Sequence, residues 1–588
     1  MRHARFFLLG LVLGLPLLSA QAQTLTVLSR QPLTQFAWTP EETTWIHDHA
    51  GLIFFNDGTQ PNYTMSELID QAHALGLKKV KTWLKGEQQG QMLQVLATPL
   101  YQRILTEFDT VLFDVCPDFM PTGPFDAAHQ LLVSSDYESV AYYLASHYRD
   151  AKKTFLLSLF METNLFFSLE GTRWAEWPAD QFFNVATAAV QSGIARAKRE
   201  GGTQPAPKIY TVIEVGGLPK DYIKRYLPNT HADLYALSYY GRGELGQPDC
   251  TLLDSIQTLA AYVPHDGPFG QNNLILGELG RNVFGGGHEG EDLEQIQYLQ
   301  MTLGEARANQ FAFAFIFWIN DQDRSWDDGW GFISSKNTGG YLRRSWHAFQ
   351  GIFGGQMPAG RPALPHAAIE AVRAIDANPK TGHSARVEID VANRSTWSSS
   401  AAQATAVAIG VQAGHQNLAT SVTLAPDELV TLQAQVTAPS GGTIGLSLSG
   451  PGLAAQTTTS SLNRADLVVD RVYSDPAQPK AGDQVRFYAA VRNLGNAPIT
   501  NVAVHFHIDD FKALWYTWGC FYDPSFLAKG QTFNIAGDLW PATGGMHQVR
   551  AWVNPDGSRE SNYDNNITVQ EFDIPPLNSS VAPSPPYN

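Results

Sequence analysis

Thr154–Met161 (TFLLSLFM), Ala179–Glu200 (ADQFFNVATAAVQSGIARAKRE) and Lys208–Val215 (KIYTVIEV) decide the fold. The first and third are nearly unbroken apolar runs of strand length, as expected for parallel strands covered on both faces. The second repeats its apolar positions at helical spacing. Strand, helix and strand in that order make one βαβ unit. The same alternation extends outward from about residue 50 to residue 358. Further strands are expected at Gly51–Asn56, Lys79–Leu84, Phe108–Val115, Asp233–Tyr240, Asn273–Leu279 and Phe311–Ile319. Helices are expected at Ser66–Leu75, Gln91–Glu107, Ser139–Ala151, Leu252–Ala261, Leu293–Asn309 and Tyr341–Phe353. Eight such units predict a closed (β/α)8 barrel over residues 23–358 rather than an open doubly wound sheet. No G-x-G-x-x-G turn follows the first strand, which counts against a dinucleotide fold.

The alternation stops at Gly354–Pro365 (GGQMPAGRPALP), a Gly/Pro linker. Beyond it the pattern has period two, as in Ala385–Val391 (ARVEIDV), Ala404–Val411 and Val430–Val436 (VTLQAQV). This predicts an immunoglobulin-like β-sandwich over 365–461. A second sandwich is expected over 464–574, with strands at Asp466–Val472, Gln484–Val491 and Val502–His507. Residues 575–588 are rich in Pro and Ser, and a disordered tail is expected there.

Composition narrows the function classes. A chain of 588 residues with 44% hydrophobic content has enough core for several domains and is not a disordered or fibrous chain. Its formal net charge of −16 argues against nucleic acid and against an anionic membrane surface, leaving neutral or cationic ligands. Arg2 and Arg5, the apolar run Phe6–Leu18 and Ala20-Gln21-Ala22 have the form of a cleavable signal peptide over 1–22. Its removal takes away two arginines and no acid, so the mature charge becomes −18. No later apolar run reaches the roughly 20 residues of a transmembrane helix, so a secreted, periplasmic or cell-surface protein is expected. The cysteines, Cys116, Cys250 and Cys520, match no zinc spacing, and a Cys116–Cys250 bridge stays open. No cofactor or metal pattern is found: the Asp-rich stretch 320–328 lacks EF-hand spacing, and no H-E-x-x-H, Walker loop or G-x-S-x-G occurs.

Barrel enzymes carry their chemistry at the C-terminal ends of the strands. The fourth strand runs into Glu162 and the seventh into Glu278, which follows the apolar or small residues ILG. A carboxylate there must face the barrel mouth. Two glutamates across a mouth suit glycoside hydrolysis, one as nucleophile and one as acid/base with a raised pKa. Glu214 in the fifth strand and Glu170 after the fourth are rivals for the acid role. Candidate subsite residues are Asn56 and Asp57 after the first strand, Trp83 and Lys85 after the second, and Asp114 and Asp118 after the third. Trp326 and Trp330 after the eighth strand could form an aromatic platform.

At Ile275–Gly280, Ser238-Tyr239-Tyr240 and Trp318 the chain resembles the clan GH-A retaining glycoside hydrolases. The resemblance implies Glu278 as nucleophile, Glu162 as acid/base, Tyr239 or Tyr240 as the tyrosine hydrogen-bonded to the nucleophile, and Trp318 as floor of the sugar subsite. That clan usually has Asn before its acid/base, whereas Met161 stands here; Asn164 is the substitute if the loop bends back. Asp466-Leu467-Val468-Val469, Val491–Asn496 (VRNLGN), Gly545-Met546-His547 and Glu560–Asn566 (ESNYDNN) resemble the bacterial CARDB-type module. Such modules imply stacking, spacing or adhesion, here to a cell surface or polymer. The expected function is hydrolysis of a β-linked oligo- or polysaccharide. A non-catalytic carbohydrate-binding or adhesion protein on a degenerate barrel is the alternative, and an inverting hydrolase or a lyase a third.

Overall fold

The computed structural model describes residues 25–576 except 55–62, 87, 118–123, 164–176, 217–219, 241–249, 282–288, 322–328, 376–378, 463–464, 496, 498–501, 509–516, 521–526, 529 and 554–565. Eight parallel strands close into a barrel, in chain order Ala50–Ile53, Lys79–Gly86, Thr110–Pro117, Thr154–Ser158, Lys208–Gly216, Leu234–Tyr239, Leu274–Leu279 and Ala314–Ile316. They are called the first to eighth strands below. Each overlaps the strand expected from its apolar run. Alternate residues fill the interior, among them Ile53, Leu112, Leu156, Val212, Ala236, Ile275 and Phe315. Their neighbours Leu52, Val111, Phe155, Ile213, Leu237, Leu276 and Ile316 pack outward into a separate core. Both faces are therefore apolar, which is why the strands read as continuous hydrophobic runs.

Two helices differ from expectation for local reasons. The stretch 91–107 is two helices, Gln91–Leu96 and Pro99–Glu107, because Pro99 suits a first helical position and Thr98 caps it. The helix before the fourth strand is Ala127–His147, starting well ahead of Ser139, because Asp126 Oδ1 accepts from Ala128 N and His129 N, each at 3.0 Å.

Two pairs of antiparallel sheets follow the barrel. In the middle unit, Thr26–Pro32, Glu428–Thr437, Ser384–Asn393 and Ala367–Ala374 form one sheet. Gln416–Leu424, Thr405–Ala413, Thr443–Ser449 and Gln456–Ser461 form the other. The strand Thr26–Pro32 amends the expected boundary at residue 23: it precedes the barrel in sequence yet pairs antiparallel with Glu428–Thr437. Leu25 enters the core of the middle unit and Leu33 packs on Ala392 and Leu429, so apolar burial anchors this strand away from the barrel. The last unit has one sheet of Leu467–Asp475, Gln484–Asn493 and Thr532–Pro541. Its other sheet is Thr517–Cys520, Ala503–Ile508, Gly545–Val553 and Ile567–Ile574. The last unit has its own core around Leu467, Phe487, Phe506 and Trp540.

Candidate active site

The second strand places Lys81, fully buried, inside the barrel just below its mouth. Its ammonium lies 3.1 Å from Asp114 Oδ2 on the third strand, 2.7 Å from Glu214 Oε1 on the fifth and 2.9 Å from Glu278 Oε1 on the seventh. Burial alone would lower the Lys81 pKa, but the three carboxylates outweigh it and hold the group well above the usual lysine value. Lys81 is therefore a permanent cation among acids.

The acids divide the charge unequally. Burial would raise Glu214, but the Lys81 cation and hydrogen bonds from Lys81, Ser238 and Asp114 hold its carboxyl below the ordinary value. Ser238 Oγ donates to Glu214 Oε1 at 2.7 Å. Burial pushes Asp114 far up against the pull of Lys81, and the charges of Glu214 and Glu278 push it the same way. Burial also raises Glu278, opposed by Lys81 on Oε1 and by the Tyr240 hydroxyl, which donates to Oε2. A charged donor on one oxygen and a phenol on the other both favour the ionised carboxylate against that burial.

Glu278 reaches this position through a break in register. Leu237 pairs with Leu276, but Ser238 pairs with Glu278, so Gly277 is bulged out of the ladder. Strict alternation from the inward Ile275 would turn Glu278 toward the helices, and the bulge turns it back into the mouth. Glycine is required here because a Cβ on Gly277 would lie 2.5 Å from Glu214 Oε1.

Glu162 lies in a turn four residues beyond the end of the fourth strand, with φ of 36°, a left-handed conformation uncommon for a side-chain-bearing residue. Thr163 Oγ1 donates to the Glu214 carbonyl at 2.8 Å and ties the turn to the fifth strand. The Glu162 carboxyl rests against Gly216. Burial, then the charges of Glu278 and Glu214, push it up to about 7. A Cβ on Gly216 would come within 2.7 Å of Glu162 Oε1 and 3.0 Å of Glu162 Cβ. Gly216→Ala is thus expected to displace the Glu162 carboxyl and to cut about 100-fold any turnover that depends on it. Thermal unfolding and kcat measured side by side check it, and an unaltered kcat would mean that Glu162 has no part in turnover.

The other candidates separate clearly. Tyr240 is at the mouth, whereas Tyr239 packs outward in the core beneath the helices. Trp83 faces the barrel interior and carries Lys85 Nζ 3.9 Å from its ring centroid. Trp318 is buried (1% exposed), with the Phe317 ring 4.1 Å away, so Trp330 offers the more open aromatic edge. Trp330 stands 5.3 Å from Tyr240 and 5.7 Å from Phe317, edge-on to both. Asp114 lies below the mouth, bound to Lys81, rather than at its rim. Asn56, Asp57, Asp118, Asn164, Glu170 and Trp326 lie outside the described residues, as do the side chains of Cys116 and Cys250. Lys81 is missing from the sequence candidates. Its signal was available, a charge in mid-strand at the same parity as Trp83.

A closed (β/α)8 barrel with a carboxylate cluster at the C-terminal ends of its strands, followed by β-sandwich-like sheets, is the class of protein these features define. Residues 464–570 match the CARDB family model. The barrel and the CARDB module are the architecture that the sequence resemblances imply. No curated protein matches the sequence. Among solved structures, the chain is similar to a family 5 xyloglucan-specific endo-β-1,4-glucanase from a metagenomic library, with 10% identity over 53% of this chain and 98% of that one, at a TM-score of 0.36. It is similar to a Cellulomonas fimi endo-β-1,4-mannanase double mutant at 13% identity, covering 71% and 97% of the two chains, TM-score 0.31. The CARDB domain of a Pyrococcus furiosus protein, in complex with di-metal ions, aligns at 17% identity over 20% of this chain and 99% of that domain, TM-score 0.17. The functional reading rests on the geometry of the mouth. Among the described residues no helix is long and apolar enough to cross a membrane.

Proposed function

We propose that this chain is an exported O-glycosyl hydrolase that cleaves a β-linked oligo- or polysaccharide with retention of configuration. The observation that carries the reading is the different surroundings of two glutamates at the mouth. Burial raises both carboxyls, but in Glu278 it is opposed by Lys81 at 2.9 Å on one oxygen and by the Tyr240 hydroxyl on the other, whereas Glu162 is pushed up to about 7. Environments that drive two carboxyls apart in this way assign the acid and the nucleophile. Glu278 attacks the anomeric carbon while Glu162 protonates the departing glycosidic oxygen. Esterification then removes the Glu278 charge, which is one of the causes raising Glu162. Glu162, having given its proton to the leaving group, then stays ionised and as general base takes a proton from the water that releases the sugar. Glu214, fully covered and bound by Lys81 and Ser238, supports this pair from below and is not the acid. Trp330, Tyr240 and Trp83 supply aromatic edges for a sugar ring. The C-terminal CARDB module would keep the barrel near a polymer or cell surface.

A screen over aryl β-glycosides and plant, fungal and bacterial polysaccharides tests the reading, followed by NMR of the first-formed anomer. Retention is expected, with kcat/KM falling about tenfold per pH unit above pH 7 as Glu162 loses its proton. Inverted product would assign the glutamates to the other mechanism. Sugar binding without turnover, unchanged by replacing either glutamate, would make the chain a binding protein instead.

A further inference from the structure

A second cluster of buried charges lies where the barrel meets the middle sandwich. Arg394, just past the strand Ser384–Asn393, is 2% exposed. Its Nε lies 3.0 Å from Glu370 Oε1 within the sandwich, and its Nη1 crosses to the barrel, 3.0 Å from Asp292 Oδ2. Asp292 belongs to the helix Glu289–Ala308 that follows the seventh strand, and it is fully covered. It also accepts the Arg344 backbone N–H at 3.3 Å, and its Oδ1 lies 3.9 Å from Arg343 Nε. Arg343 reaches on to the segment beyond the eighth strand, with Nη2 2.6 Å from Asp321 Oδ2 and Nη1 donating to the Gly331 carbonyl. Asp321 Oδ1 accepts the Gly331 N–H at 2.7 Å. Gly331 is therefore pinned at both its donor and its acceptor, and it is the neighbour of Trp330.

The same helix holds Trp330 a second way. Gln295, three residues beyond Asp292 and so on the same face, donates to the carbonyls of Trp330 at 3.1 Å and Arg281 at 3.0 Å. The sandwich docks firmly beside it: Leu342 N donates to Ser395 O and Trp397 N to Gly340 O, each at 2.9 Å. Thr26–Pro32 closes the connection from the other end of the barrel chain.

We propose that the middle sandwich positions the Trp330 segment at the barrel mouth, with Arg394 as a positioning residue acting through Asp292 and Arg343. The physical reason is charge pairing. Without Arg394, Asp292 is a buried anion short of a partner, and the nearest cation able to answer it is Arg343. Arg343 can do so only by loosening its hold on Asp321 and Gly331. The sandwich is then part of the site rather than a spacer. Only the substrate consequence rests on the glycoside hydrolase reading.

The test uses the full chain carrying Arg394→Met, with Arg394→Lys and Glu370→Gln as milder variants should Arg394→Met fail to fold. Hydrogen–deuterium exchange is read over residues 329–333 against the barrel strand 208–216. Exchange at 329–333 should speed up about tenfold while 208–216 stays unchanged. Equal protection in the wild type and every folded variant overturns the proposal, whether or not any sugar is turned over. On a substrate, KM should rise about tenfold with kcat nearly constant, and Trp330→Ala should abolish that difference. Fully additive effects of the two substitutions would also overturn it. A wild type inactive on every sugar would refute the hydrolase reading and leave the exchange result to decide this one.

Discussion

Glu278→Gln is expected to lower kcat/KM on the order of 10⁵-fold while thermal unfolding stays within a few degrees of the wild type. Glutamine keeps the shape of the side chain and an oxygen for Lys81, so the barrel has little reason to move. What is lost is the anion that forms the bond to the anomeric carbon. A second consequence follows from the charge of Glu278 acting on Glu162. With that charge gone, the Glu162 carboxyl should titrate below the wild-type value of about 7, which carbon NMR of a labelled side chain can follow. Glu162→Gln should behave differently. Aryl glycosides whose leaving groups need no proton should lose far less activity than sugars with poor leaving groups. A Glu278→Gln enzyme with wild-type turnover would end the proposed mechanism.

Lys81→Met should unfold more easily by about 3–5 kcal/mol, because it strips the cation from a set of covered acids. Lys81 is fully buried and lies within 3.1 Å of Asp114, Glu214 and Glu278. Glu214 would then take up a proton, since the Lys81 cation is what offsets its burial. Stability of the variant should therefore fall more steeply than that of the wild type as pH rises through the raised Glu214 value, since among these acids the wild type loses stability with rising pH only through Asp114, Glu278 and Glu162. The double variant Lys81→Met/Glu214→Gln separates charge balance from chemistry. Much of the lost stability should return, because the buried charge has gone with its partner, but activity should not, because Glu278 still lacks the Lys81 ammonium. Urea unfolding at several pH values measures this, and a single variant as stable as the wild type would show that the four groups are not coupled.

The barrel was legible because its strands are covered on both faces. Near-continuous apolar runs such as Thr154–Ser158 and Lys208–Gly216 follow directly from that burial, and the Gly/Pro stretch at 354–365 marks where the alternation ends. Glu278 was legible as well, since an acid behind Ile275-Leu276-Gly277 has few other places to go. The N-terminal strand was not: nothing local in Thr26–Pro32 says that its partner lies some four hundred residues away, at Glu428–Thr437. A strand carries a pattern of faces, not the identity of its neighbour.

The sequence by itself determined the fold class and the period-two domains that follow the barrel, and it pointed to Glu162 and Glu278 as candidates, since each depends on burial pattern and on position along a strand. The tertiary structure alone decided how those acids are charged. Lys81, Asp114, Glu214 and Glu278 come from four different strands and meet only when the barrel closes. The bulge at Gly277, which turns Glu278 toward them, is a property of pairing between two strands and not of either one. Protonation is set by burial and by charges a few ångströms away, and those distances exist only in the folded chain.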